Sequence, residues 1–223
     1  MQDLILHEQF ELEVLDILNS RRLLNKLVFG GGTMLRLCFG LNRYSVDLDF
    51  WVIKKIDPNK LFIDIKKALE QGYKIKDHKN KHNTLLFEIR SKNYPRSLKI
   101  EIRKELKKIN TENAIAYSPN YNIQVLLKVV SLENMMASKI ETFLNRKEIR
   151  DVFDMEFLLK KGIEINAARN QLESLLKGIE SLKKQDYSVK LGSILDNDQR
   201  KYYMKENFKI LKMSVKEKLT LNK

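Results

Sequence analysis

The sequence predicts an α+β fold, in which a strand-bearing first part is followed by a purely helical second part. Three observations carry that prediction. Six segments before residue 131 read as strands, and none does after it. From Ser131 onward the apolar residues recur at three- and four-residue spacing. The chain has 223 residues, 43% hydrophobic and 32% charged, with 8 Gly and 3 Pro. That length and composition suit a large single domain or two packed lobes and exclude disordered and collagen-like chains.

Taken in order, Leu4–Leu24 places Leu4, Phe10, Leu15 and Leu18 at helical spacing and reads as an amphipathic helix. Lys26–Phe29 is a short strand. Gly30, Gly31 and Gly32 form a turn, a helix runs over Thr33–Phe39, and Gly40 stops it. Asp47–Ile53 alternates Asp47, Asp49 and Trp51 with Leu48, Phe50 and Val52, a strand with one polar and one apolar side. Asp57-Pro58 opens a helix ending near Gln71. Strands follow at Tyr73–Lys79, Thr84–Ser91, Leu98–Lys104 and Ile123–Val130. Helices then cover Ser131–Asn145, Glu148–Lys160, Asn166–Leu182 and Gln199–Leu219. The two parts divide as residues 1–130 and 131–223.

Cys38 is the single cysteine, which excludes an internal disulfide framework and a cysteine-built zinc site, and it falls in an apolar run that suits the core. His7, His78 and His82 lack ligand spacing and receive no role. No apolar run approaches the ~18 residues of a membrane span. The opening Met-Gln-Asp leads into a charged amphipathic stretch rather than a signal peptide, so the expectation is cytoplasmic, with no membrane partner. Lys and Arg number 42 against 29 Asp and Glu, a net charge of +13. This suits a polyanionic partner, and equally a Lys-rich solvated surface. Lys201, Lys205, Lys209, Lys212 and Lys216 repeat as one face of the last predicted helix, a cationic stripe suited to phosphates. Tyr202-Tyr203 lies in the same basic segment as a possible stacking platform for bases.

The chemistry concentrates in Phe29-Gly-Gly-Gly-Thr-Met-Leu-Arg-Leu37 and Arg43-Tyr-Ser-Val-Asp-Leu-Asp-Phe50. A strand running through glycines into a helix start brings free N–H groups and the positive helix end together, as phosphate oxygens require. Asp47 and Asp49, at i and i+2, point to one side of their strand. Two adjacent carboxylates repel unless a cation lies between them, and hard oxygen pairs suit Mg²⁺ shared with substrate phosphates. The same alternation also fits an ordinary solvent-facing strand. Glu101, between Ile100 and Ile102, offers a third carboxylate if its strand is a neighbour. Lys139 shares an apolar helix face with Met135, Met136, Ile140 and Phe143. It can snorkel to the rim or act as a point charge on a triphosphate. Arg150 and Asp154 fit a surface i,i+4 pair, or Asp154 can orient Lys139 across a helical hairpin.

Gly-Gly-Thr, a 13-residue gap and Asp-Leu-Asp resemble the polymerase-β-type nucleotidyltransferase signature. More narrowly, the two blocks resemble the AbiEii/AbiGii toxin family. Glu133-Asn-Met-Met-Ala-Ser-Lys139, Arg146 and Arg150-Asp-Val-Phe-Asp154 resemble its later elements. The resemblance implies a polymerase-β-like nucleotidyltransferase lobe with a mixed sheet, then a helical lobe that completes the active site and binds the acceptor. It implies transfer of a nucleoside monophosphate from an NTP, with Mg²⁺ or Mn²⁺, to an acceptor such as the 3′ end of tRNA. A cognate antitoxin is an implied partner. Asp47, Asp49, Lys139 and Asp154 are then the catalytic residues. Gly31, Gly32, Thr33, Arg43 and Ser45 bind nucleotide, and Asp47, Asp49 and Glu101 bind metal. Transfer to a protein or small molecule, and a non-catalytic nucleic-acid-binding module, are the alternative readings.

Overall fold

A computed structural model describes residues 2–221. The chain divides into two compact units, Met1–Ser131 and Leu132–Lys223.

In the first unit, seven strands among the described residues form one mixed sheet. They are β1 (Leu27–Gly30), β2 (Asp47–Val52), β3 (Lys74–Asn80), β4 (Thr84–Arg90), β5 (Leu98–Leu106), β6 (Thr111–Ser118) and β7 (Tyr121–Val130), with three helices, α1 (Gln2–Ser20), α2 (Gly31–Phe39) and α3 (Pro58–Glu70). The strand order is β3-β4-β5-β2-β1-β7-β6. β2 runs antiparallel to β1 and parallel to β5. Alternation decides the layers: Leu48, Phe50, Phe87, Ile100 and Ile102 are almost fully buried, whereas Asp47, Asp49, Glu88 and Glu101 lie between them on the opposite side and remain half-exposed. Phe29 and Phe50, 5.2 Å apart, join β1 to β2 in the core.

Local chemistry explains the helix ends. Asp57 caps α3 by accepting from the amides of Asn59 and Lys60, with Pro58 in the first turn. Gly40, at φ +78°, ends α2 by donating back to Arg36 and Leu35. α1 stops at Ser20 rather than Leu24, where the chain turns through Arg22 at φ +59°. β6 has no counterpart among the sequence-predicted strands. Its small residues Ala116 and Ser118 face in while Ile115 and Tyr117 face out, which inverts the usual hydrophobic cue.

The second unit contains α4 (Leu132–Arg146), α5 (Ile149–Lys160), α6 (Arg169–Glu180), a π-helical turn over Asp186–Leu191, α7 (Asn197–Glu206) and α8 (Lys209–Leu221). The expected single helix Gln199–Leu219 is two. Asn207 and Phe208 both take left-handed backbone, at φ +50° and +53°, and Phe208 is fully buried. Phe208 packs 5.0 Å from Tyr203 and 5.6 Å from Tyr187. Burial of that ring sustains a conformation that L-residues normally avoid. The break puts Lys201 and Lys205 on α7 and Lys209, Lys212 and Lys216 on α8, so the five lysines do not form the continuous face of one helix. Tyr203 is likewise a core residue, 4.9 Å from Phe153, not a stacking platform. The fully buried Glu156 accepts the Leu211 amide at 3.2 Å and Lys160 Nζ at 2.9 Å, which docks the start of α8 on α5.

Among the described residues, no helix is long and apolar enough to cross a membrane.

Candidate active site

The two sequence blocks meet in the first unit. Gly31 opens α2 at φ +77°, a conformation that L side chains resist by roughly 1–2 kcal/mol. A Cβ there would stand 2.5 Å from Asp49 Oδ2. One at Gly32 would stand 2.5 Å from Arg43 Nη2 and 2.8 Å from Ser45 Oγ. The glycines are therefore required by the close approach of Asp49, Arg43 and Ser45. The N-cap residue of α2 is Gly30, which has no side chain to cap it, and helix amides and the positive dipole end there favour anions. Arg43 is 3% exposed, a guanidinium buried beneath this turn, with Nη1 donating to the Tyr44 carbonyl at 3.0 Å.

Thr33 is fully buried. Its hydroxyl donates to the Asp47 carbonyl at 2.7 Å, tying the first turn of α2 to the first residue of β2. This contact fixes where the aspartates begin. Asp47 pairs in register with Lys99 and Asp49 with Glu101, so all four side chains project from one face of the β2–β5 pair. Glu101 accepts from Lys99 Nζ at 3.1 Å. Desolvation works against the Lys99 charge, but the hydrogen bond and the charges of Glu101, Asp47 and Asp49 outweigh it and push its pKa up. Among the described residues, no three His, Cys, Asp or Glu side chains are grouped so as to hold one metal ion. Asp47 and Asp49 are the pair with hard oxygen donors on a shared side, while Glu101 is engaged with Lys99.

Sequence reasoning assigned nothing to His7, Glu8 or Glu11, yet all three are buried on α1 behind this strand start. His7 Nε2 lies 2.9 Å from the Val46 carbonyl, and Nδ1 has no partner among the described residues. Burial, then the charges of Glu8 and Asp47, raise the Glu11 carboxyl well above the usual carboxylate range. Lys99 was missed as well. Its i, i−2 relation to Glu101 was visible in the sequence, but its place beside Asp47 needed the strand register. Cys38 sits at the rim of the core, where burial pushes the thiol up to about 12. His78 stacks on Phe62 at 5.9 Å.

In the second unit, α4 and α5 form a hairpin that buries a charge cluster. Lys139 Nζ lies 2.6 Å from Asp154 Oδ2 and 3.4 Å from Asp151 Oδ1. Arg146 grips Asp151 through Nε and Nη2, both at 2.8 Å. Both aspartates are fully buried and Lys139 is 7% exposed. Asp154 thus orients Lys139 across the hairpin; the snorkelling lysine and the Arg150–Asp154 surface pair are not what forms. Asp151, which the sequence reading did not single out, is the hinge of the cluster.

No curated protein sequence matches the chain. Among solved structures, JHP933 from Helicobacter pylori shares 23% identity over 93% of this chain and 97% of its own, with a TM-score of 0.52. MenT4, a nucleotidyltransferase toxin from Mycobacterium tuberculosis H37Rv, shares 16% identity over 92% of this chain and 82% of its own, with a TM-score of 0.60. These likenesses bear on the fold. The family model described as the nucleotidyl transferase AbiEii toxin of type IV toxin–antitoxin systems matches residues 14–212, nearly the whole sequence, and the chain belongs to that family.

Proposed function

We propose that this nucleotidyltransferase moves a nucleoside monophosphate from an NTP to an RNA acceptor, the 3′ end of tRNA, with help from Mg²⁺ or Mn²⁺. The observation that carries the reading is the approach of Asp49, Arg43 and Ser45 to the Gly31-Gly32 turn, which joins an acidic strand to a helix start capped by glycine. In this reading the α2 amides, with Arg43 and Ser45, hold the triphosphate oxygens. Thr33 positions the strand through the Asp47 carbonyl. Asp47 and Asp49 fit a divalent ion by donor type and shared side. When bound, that ion neutralises phosphate charge and lowers the pKa of the attacking hydroxyl. The acceptor hydroxyl gives up its proton to solvent and its oxygen forms a bond to the α-phosphorus as the bond to the bridging oxygen breaks and pyrophosphate leaves. Within the second unit, Asp154 holds Lys139, the compact positive charge that the family resemblance assigns to the reaction. A cognate antitoxin is the expected protein partner.

The test is incubation of the purified protein with each α-³²P-labelled NTP, total RNA and total protein, with Mg²⁺, Mn²⁺ or EDTA. Label in the tRNA band that disappears with EDTA is the expected result. Label confined to protein, or transfer that persists in EDTA, would overturn the acceptor or the metal respectively.

A further inference from the structure

On the far side of the sheet from β6, the unit bears a basic concavity of about 780 Å³. It is lined by Lys74 at the start of β3, Arg90 at the end of β4, and Ser91, Lys92, Asn93 and Tyr94 of the following loop. Three features mark it out. Lys74 and Arg90 are direct cross-strand partners, and like charges placed opposite one another destabilise a sheet. A few residues along, Lys76 of β3 meets Glu88 of β4 at 2.6 Å, an opposite-charge contact across the same two strands. Among the described residues, Lys74, Arg90 and Lys92 form no ion pair with a carboxylate, and no carboxylate lines the concavity. The wall is also rigid. Tyr94 is 8% exposed, stacks on Phe10 with centroids 4.7 Å apart, and donates to Glu13 at 2.6 Å. Three cations are thus held together, at a cost, by two paired strand ends and a loop that is pinned in place.

Register relates this concavity to the aspartates. Lys99 pairs with both Asp47 and Glu88, so Glu88 and Asp47 lie level on the same face, two strands apart. Arg90 is two residues beyond Glu88 on that face. With strands about 4.8 Å apart and a rise of about 3.3 Å per residue, the Arg90 backbone is roughly 12 Å from that of Asp47. That is about the rise of three or four stacked nucleotides.

We propose that the Lys74–Arg90–Lys92 concavity docks the phosphodiester backbone of the RNA acceptor, a few nucleotides from the end presented to Asp47 and Asp49. This rests on the reading of the acceptor as RNA. A wide basin with spaced cations suits successive phosphates of one strand, and Ser91 and Asn93 add polar groups for ribose and phosphate oxygens. Contacts of this kind carry no sequence preference and depend steeply on salt.

The test compares wild type with the triple variant Lys74→Ser, Arg90→Ser, Lys92→Ser, all at exposed positions. Binding of fluorescently labelled tRNA is followed by anisotropy from low to moderate salt, and transfer is followed with labelled NTP. The variant is expected to lose about two units from the slope of log affinity against log salt, since each lost contact removes about 0.7. Its KM for tRNA is expected to rise about tenfold while its KM for NTP stays at the wild-type value. An unchanged slope and tRNA KM, with wild-type tRNA labelling intact, would overturn the concavity alone. A raised KM for NTP with an unchanged KM for tRNA would assign the basin to the nucleotide and also overturn it. If the wild type neither binds nor labels RNA, the acceptor reading fails, and the concavity falls with it.

Discussion

Two pairs of aspartates in this chain sit at opposite extremes of electrostatic design. Asp151 and Asp154, on helix α5 of the second unit, are fully buried and are matched there by Lys139 and Arg146. Asp47 and Asp49, on strand β2 of the first unit, stay half-exposed beside a glycine turn, and their field reaches the nearby Lys99. A buried carboxylate must be neutralised by the fold itself, because an unpaired charge in a low dielectric is costly. A half-exposed pair on one strand face is able to meet a cation that arrives with substrate. The first pair therefore builds the hairpin that holds Lys139, and the second is the pair we propose for metal-assisted transfer.

Substitutions break that comparison in opposite directions. Asp47→Asn or Asp49→Asn is expected to remove transfer, by on the order of 10³-fold or more, since in the proposed function each is a hard donor to the ion that serves the reacting phosphate. Thermal stability is expected to stay equal or rise, because like-charge repulsion is relieved. A melting curve beside the transfer assay checks both halves. Lys139→Met reverses the balance of effects: transfer falls about 10²-fold and stability falls by about 3–5 kcal/mol, because buried carboxylates lose their partner. The double variant Lys139→Met, Asp154→Leu is expected to regain much of that stability in urea unfolding without regaining transfer. Recovery of both would make the pair purely structural.

The smallest expected effect concerns Glu11, whose carboxyl is buried and held above its ordinary range by burial first and then by Glu8 and Asp47. The folded chain keeps a proton that the unfolded chain has already released. Stability is therefore full below the ordinary carboxylate range and falls as pH rises toward the shifted value. Glu11→Gln is expected to be the more stable chain at about pH 8 and to change less between about pH 5 and pH 8. Urea midpoints at the two pH values measure the difference, and parallel curves for the two proteins would remove Glu11 as the titrating group.

The amino-acid sequence by itself determined the order of most elements, the change to an all-helical second unit, and both blocks around the glycines and aspartates. These are local properties: period two, period three to four, and glycine where the backbone turns tightly. It did not reveal β6, whose inward residues are small and whose outward ones are Ile115 and Tyr117. It also ran one helix through Asn207 and Phe208, because helical periodicity continues on both sides of a break that only the packing of Phe208 against Tyr187 and Tyr203 sustains. Tertiary structure alone decided which charges meet. Lys99 stands beside Asp47, and Glu101 beside Asp49, because β5 lies parallel to β2 in one register. Lys139 is held by Asp154 because α4 folds back on α5. Lys74 faces Arg90 because a hairpin aligns them. A one-residue slip in any strand would send every one of its side chains to the other face, so residue type and spacing name the candidates, and pairing across the sheet or hairpin selects their partners.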